Sequence, residues 1–510
     1  MPQSFNALFL ALLVGLFAPL IQDEPESAPP AEPPTRHNVV VVVIDDLSME
    51  DFDGLPLPRL AAFAEQGRRY SSFYVHPICS PSRYALQFGR DSARIDMLGP
   101  LSVYSRVRQG ADPDTRSIAD AFGAAGYATA LFGKWHLSSR GEFRASSGPE
   151  SLYDAPRAFG YEHWWAGHPT NLGLQGRASQ YLWTRCDDGK ATDSTTYASE
   201  AVVDSFIEWW RTDEERPRFT VVNLFTPHEP FSRPPSDLLP EKYDASATVR
   251  ASFETATLAV DALIGRLIDA VDLSNTYLLV LPDNGTPRNV RPRQHKSRGY
   301  KYTVWQGGVN VPLLVAGPGV VPGPTEQLAH VVDLPATLLD ACGLPPDEAF
   351  VDSRSFAASL FGPAVPREPV VVAARRPGRN SPLLGAVVDH EGFKFVDNSA
   401  ERLLFDLKTD PWEARPIHDR ERARALRDVL AGYRAIVDEA EARRLRERFE
   451  DGIEDEEDAL ELDESIPEGD GSGDGSGDGG GDGSGDEPPE PTPPAPEPAP
   501  APPRAGAVGR

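Results

Sequence analysis

Four apolar, largely β-branched runs in this sequence end in groups able to hold a cation or move a proton. Asp45 and Asp46 follow NVVVVVI; Lys134 and His136 follow ATALF, in FGKWHL; His228 follows FTVVNLF, in TPHEP; Asp283 and Asn284 follow TYLLVL, in PDNG. Each has an ordinary reading when taken alone. Asp-Asp after a strand caps a turn or a helix, Asp-Asn-Gly makes a turn, and a histidine between prolines is a loop residue. Taken together, three carboxylates and an Asn carbonyl form a hard oxygen set that suits calcium or magnesium, whereas zinc would take His or Cys. Three carboxylates against one dication leave net negative charge, and two like charges about 4 Å apart repel by roughly 4 kcal/mol at an effective dielectric near 20. An anionic substrate at such a site therefore requires cations, for which Arg83, Lys134 and Lys301 are the candidates.

A fifth element supplies a nucleophile candidate. Cys79 opens CSPSRYALQFGR, where Pro81 suits the first turn of a helix and Ser80 or Cys79 falls at its cap. A group there faces unpaired N–H donors, which favour anions, and Arg83 projects from the same turn. The ordinary reading is a buried cysteine that starts a helix.

The elements that must position these groups alternate. Strands are expected at Asn38–Ile44, Ala128–Phe132, Phe219–Phe225 and Thr276–Leu281, with helices at Arg59–Gln66, Ser117–Ala125, Ser199–Arg211 and Ala251–Val271. Continuous apolar strands separated by helices imply an α/β fold with a large, mostly parallel central sheet flanked by helices, and ligands bind beyond the carboxyl ends of such strands. After Pro363 short runs at Val370–Ala373, Gly385–Asp389, Phe393–Val396 and Leu403–Asp406 precede a charged helix near Glu421–Phe449, which reads as a smaller C-terminal antiparallel sheet plus helix.

The 510 residues carry a net charge of -27, but eighteen acidic and two basic residues of the total lie in 451–510, so the rest is only moderately acidic. That balance excludes nucleic acid as a natural partner. Residues 7–20 form a short apolar run that reads as part of a secretory signal (1–22), with an N-terminal anchor as the alternative; no stable membrane span is expected. The further division is a Pro-rich linker (23–37), a catalytic domain (38–363), a C-terminal subdomain (364–450) and a disordered acidic Gly/Asp/Pro-rich tail (451–510). Of three cysteines, Cys186 and Cys342 are left to pair if Cys79 is modified.

CSPSR, set among these groups, resembles the core signature of the sulfatase family within the alkaline-phosphatase-like superfamily. The resemblance runs over roughly 38–415 and takes in Asp45-Asp46, GKWHL, TPHEP, PDNG and KYTVWQGGVNVPLLVAGPG, where Lys301 precedes Gly307-Gly308. LLFDLKTDPWE (403–413) is similar to the family's closing motif. The resemblance implies that a formylglycine-generating enzyme converts Cys79 to formylglycine (3-oxoalanine). It implies Asp45, Asp46, Asp283, Asn284 and the modified Cys79 as ligands of Ca2+, with Mg2+ possible. Arg83, Lys134, His136, His228 and Lys301 would bind sulfate and move protons. The implied partner is a sulfated small molecule or polysaccharide, met in the periplasm or outside the cell. The sequence departs from the family at Gln87-Phe88-Gly89, where Leu-Thr-Gly is usual, and at Gln306, where Glu is usual. Two other readings stand beside this one: a formylglycine-dependent phosphodiesterase or phosphonate monoester hydrolase, and a non-catalytic binder of sulfated glycans. His76 and YEHWWAGH (161–168) are candidates for the pocket wall, with Trp164-Trp165 either stacking on a sugar or packing internally.

Overall fold

Why β1 (Asn38–Ile44) is apolar from Val39 onward is plain from its two faces. Val39, Val41 and Val43 enter one core with Tyr84, Leu86 and Phe88 of the helix Cys79–Phe88 and with Leu334 and Leu338 of Leu334–Ala341. Val40, Val42 and Ile44 enter a second core with Leu60 and Phe63 of Pro58–Gln66, Phe206 of Ala198–Trp210 and Leu263 of Val249–Ala270. Helices on both faces remove the polar alternation of a one-sided sheet.

This architecture comes from a computed structural model that describes residues 36–103, 105, 108–141, 152–173, 179–240, 248–375 and 381–450. The expected signal, most of the linker and the acidic tail lie outside the described residues. Further strands are β2 (Arg68–Tyr70), β3 (Phe73–Tyr74), β4 (Ala128–Lys134), β5 (His163–His168), β6 (Trp183–Asp187), β7 (Lys190–Ser194) and β8 (Arg218–Asn223). They continue with β9 (Thr276–Pro282), β10 (Leu313–Ala316), β11 (Gly323–Thr325) and β12 (Ala329–His330). The large sheet runs β11-β2-β10-β9-β1-β8-β4-β5-β6-β7, and β3 pairs with β12 separately. Its centre, β9-β1-β8-β4-β5, is parallel as expected, whereas β10, β6 and β7 add antiparallel pairings at the flanks.

The C-terminal antiparallel sheet consists of β13 (Val370–Arg375), β14 (Leu383–Val388), β15 (Phe393–Asp397) and β16 (Arg402–Asp406). One face packs Val387, Phe395 and Leu404 on Leu426 and Leu430 of the helix Arg420–Glu450. The other packs Val372, Ala386, Val396 and Phe405 on Val304, Trp305 and Val309, just beyond Lys301. Among the described residues no helix is long and apolar enough to cross a membrane. Cys186 and Cys342 do not pair: both thiols are free and buried, and Cys186 donates to the Tyr153 carbonyl at 2.7 Å.

A bulge in β4 aims Lys134. The register against β5 shifts between Phe132 and Lys134, around Gly133 at φ +85°. A Cβ on Gly133 would lie 1.9 Å from the Asn223 carbonyl oxygen. Gly133→Ala is therefore expected to lower unfolding free energy by about 1–3 kcal/mol in a denaturant titration, and to reduce activity by displacing Lys134. Unchanged stability and turnover would refute this role for the bulge.

Candidate active site

Pairing of β1 with β9 puts Ile44 beside Pro282, so Asp45-Asp46 and Asp283-Asn284 leave the sheet as neighbours. The two turns are tied together. The Asp46 N–H donates to Asp283 Oδ1 at 3.3 Å, Asn284 Nδ2 donates to Asp46 Oδ1 at 2.6 Å, and the Leu47 N–H donates to the Asn284 carbonyl at 3.0 Å. Across β8 from β1, β4 delivers Lys134, whose Nζ lies 2.5 Å from Asp45 Oδ2. Asn223, the last residue of β8, donates its amide to the Lys134 carbonyl at 2.7 Å.

The helix begins one residue earlier than a Cys79 cap, and two earlier than a Ser80 cap, would have it. Ile78 is the N-cap, in extended conformation, and Cys79 is the first helical residue. The change aims the Cys79 side chain at His136, with 3.5 Å between Sγ and Nδ1. His136 Nε2 lies 3.1 Å from the Leu101 carbonyl, a contact only an Nε2–H can make, so Nδ1 presents a lone pair toward Cys79. Arg83, four residues on, places Nε 2.9 Å and a terminal nitrogen 2.8 Å from Asp283 Oδ2, with Asp45 Oδ2 at 3.7 Å. Lys301 enters from a later loop, its Nζ 2.7 Å from Asp46 Oδ1 and its N–H bonded to the Thr286 carbonyl at 2.9 Å. His228 holds Nδ1 against the Glu229 carbonyl and turns Nε2 toward Asp46 Oδ2, at 3.9 Å. Asp46, His136 and Tyr302 adopt φ of 78°, 58° and 73°, left-handed backbone beside the groups that meet here.

Burial is the largest influence on Asp45 and would raise its pKa, but Lys134, His228, Arg83 and Lys301 outweigh it and hold the carboxyl well below the usual range. Burial and repulsion from Asp45 push Asp283 up to about 6, against Arg83 and Lys134. Burial, with Lys134 and Arg83, pushes His136 well below the usual imidazole range and keeps it neutral. Burial also pushes the Cys79 thiol up despite Lys134 and Lys301, so unmodified Cys79 is a poor thiolate.

The donor atoms fit a hard cation. Asp45 Oδ1 and Asn284 Oδ1 are buried without a hydrogen-bond partner, although Asn284 Nδ2 is fully used on Asp46 and the Gly285 carbonyl. Orphaned oxygens of this kind are costly unless something binds them. Donor atoms of Asp45, Asp46 and His228 also lie within 4.8 Å of one another, so a softer ion would recruit His228. Three cations against three carboxylates make the site neutral before a dication binds and cationic after it, which answers the charge problem posed by an anionic ester.

Two of the candidates for the pocket wall, His76 and Trp164, lie in the interior. His76 is fully buried and stacks edge-on against His330, with ring centroids 4.9 Å apart. Trp164 is buried and packs internally, donating to the Gly133 carbonyl at 2.9 Å, whereas Trp165 is half-buried and donates to Asp188 at 2.8 Å. Gln87 is also structural, accepting from the Tyr161 hydroxyl at 2.7 Å. The Leu101 carbonyl and the Asn223 amide were not anticipated: a main-chain carbonyl has no sequence signature, and Asn223 is one polar residue inside an apolar run.

The family model for Sulfatase matches residues 37–344. Arylsulfatase A of Homo sapiens is 28% identical over 473 residues, covering 80% of this chain and 85% of that protein. N-acetylgalactosamine-6-sulfatase of Canis lupus familiaris is 25% identical over 382 residues, covering 66% and 68%. Among solved structures, Ps i-CgsB in complex with k-i-k-neocarrahexaose superposes with a TM-score of 0.67 at 21% identity, over 79% of this chain and 93% of that one. The fold does not by itself select the ester, since phosphonate monoester hydrolase SpPMH from Silicibacter pomeroyi superposes at 0.57 and 20% identity, over 81% and 96%.

Proposed function

The chain belongs to the sulfatase family and is a sulfuric ester hydrolase, and on that premise we propose that it cleaves sulfate esters, of carbohydrates in the first instance, through formylglycine made from Cys79 and a bound divalent cation. The observation that carries this is the setting of Cys79: a buried thiol at a helix start, facing a neutral imidazole, among three cations and three carboxylates, with Asp45 Oδ1 and Asn284 Oδ1 left unused. A residue with a raised thiol pKa gains nothing from staying a thiol here. Its oxidation, in which one oxygen replaces sulfur and two hydrogens, gives a group suited to the site.

Once hydrated, that aldehyde would supply two hydroxyls on one carbon: one would displace the alcohol from sulfur, and loss of the other's proton would reform the carbonyl as the carbon–oxygen bond to sulfate breaks. Asp45, Asp46, Asp283 and Asn284 would hold the cation, which would supply acidification of a hydroxyl and polarisation of the sulfate oxygens. Arg83, Lys134 and Lys301 offset charge on the transferring group. His136, neutral and with Nδ1 toward position 79, takes the proton of the second hydroxyl. His228, backed by Lys301, protonates the leaving oxygen. The apolar run 7–20 supports export, with substrate met outside the cytoplasm.

Mass spectrometry of the Cys79 peptide from native-host protein tests the reading; formylglycine is expected, and an intact thiol would favour a glycan binder. Purified enzyme is expected to turn over an aryl sulfate faster than an aryl phosphodiester or phosphonate ester. The reverse order would assign it to the phosphonate monoester hydrolases instead.

A further inference from the structure

The C-terminal sheet contributes none of the groups assigned to the site, yet it buries an ion pair against the loop that carries two neighbours of the site. Lys394 on β15 and Glu413 beyond β16 lie 2.8 Å apart, both side chains wholly buried. Both point at Gln306. Glu413 Oε2 accepts from the Gln306 N–H at 2.7 Å, and Lys394 Nζ donates to Gln306 Oε1 at 3.1 Å. Glu413 is held for this at φ 59° by a turn in which the Asp410 carboxylate accepts from the N–H groups of Ala414 and Arg415, at 3.1 and 2.7 Å.

Gln306 opens the helical turn Gln306–Val309, and that turn reaches the site along two routes. The Gly285 N–H donates to the Gly308 carbonyl at 2.9 Å, in a contact so close that a Cβ on Gly285 would lie 2.0 Å from the Gly307 oxygen. Gly285 directly follows Asn284. The Gly307 N–H donates to the Arg298 carbonyl at 2.8 Å, and the Arg298 N–H donates to the Trp412 carbonyl at 3.2 Å, which closes the loop around Lys301. Partly satisfied buried charge is a poor source of stability, but it specifies geometry when every partner is in place.

We propose that Glu413, with Lys394 as its counter-charge, is a positioning residue for the active site: by holding the Gln306 N–H it sets the height of Asn284 and Lys301. This rests on the assignment of Asn284 as a cation ligand. An outer partner of this kind typically governs metal affinity by on the order of 10–100-fold.

The test compares two double variants of the full-length protein, chelated and then titrated with calcium chloride by calorimetry. Lys394→Met/Glu413→Leu removes both charges and the bond to Gln306; Lys394→Met/Glu413→Gln removes the charges and keeps an acceptor for that bond. The first is expected to bind calcium on the order of 10–100-fold more weakly, and to lose kcat with little change in KM. The second is expected to stay within a few-fold of wild type in both. Wild-type calcium affinity in the first variant, or equal loss in both, would overturn the proposal. If the first does not fold, the second decides alone, since a loss of about tenfold or more there refutes a role for the retained bond. Asn284→Ala runs in parallel; unchanged calcium affinity there would overturn the ligand assignment rather than the positioning role.

Discussion

Purified Cys79→Ala is expected to lose turnover on an aryl sulfate by on the order of 10⁴-fold or more, as removal of a nucleophile does. The loss is chemical and not structural. Alanine keeps the helix start and removes only Sγ, which packs beside Ile78, Ala374 and Tyr302. By analogy with a buried methylene that costs about 1 kcal/mol, so thermal melting should move by a few degrees at most. Cys79→Ser separates the two halves of the reaction. Its hydroxyl can attack sulfur once, but with no second hydroxyl on that carbon the ester has no internal route to release. A single added SO3 group on the peptide after exposure to substrate, with no sustained turnover, is the expected result. Near-full activity of Cys79→Ala would show that the nucleophile lies elsewhere.

Exhaustive chelation is expected to bring activity to background, and calcium or magnesium to restore it. The site is braced by Arg83, Lys134 and Lys301, which pair with its three carboxylates. What it lacks is a partner for Asp45 Oδ1 and Asn284 Oδ1, each an orphan costing about 1–3 kcal/mol. Cation binding removes that penalty, so the melting temperature should rise with added calcium, by the equivalent of about 2.7 kcal/mol when the ion is at a hundred times its dissociation constant. In Asp45→Ala that rise should disappear along with activity. Undiminished activity after chelation would sink the cation assignment. Restoration by zinc in preference to calcium would move His228 into the ligand set.

Residue types, strand runs and strand-end positions were legible along the chain because they are local properties. Six unbroken apolar residues at 39–44 can only be a strand covered on both faces, and groups beyond its end can only lie at the sheet's carboxyl edge. A helix start at CSPSR is equally local, to within one or two residues. The short flanking strands β2, β10 and β11 were not legible, since three or four residues carry too little period to separate strand from loop. Tertiary structure decided which of these ends meet. Asp46 and Asn284 touch across 238 positions because β1 happens to pair with β9, and Cys79 meets His136 across 57. It also decided protonation, since burial and neighbouring charge, rather than residue identity, keep His136 neutral and push up the thiol of unmodified Cys79. The tie from Glu413 to Gln306 belongs to the same class, because a buried pair between distant segments leaves no periodic trace in either one.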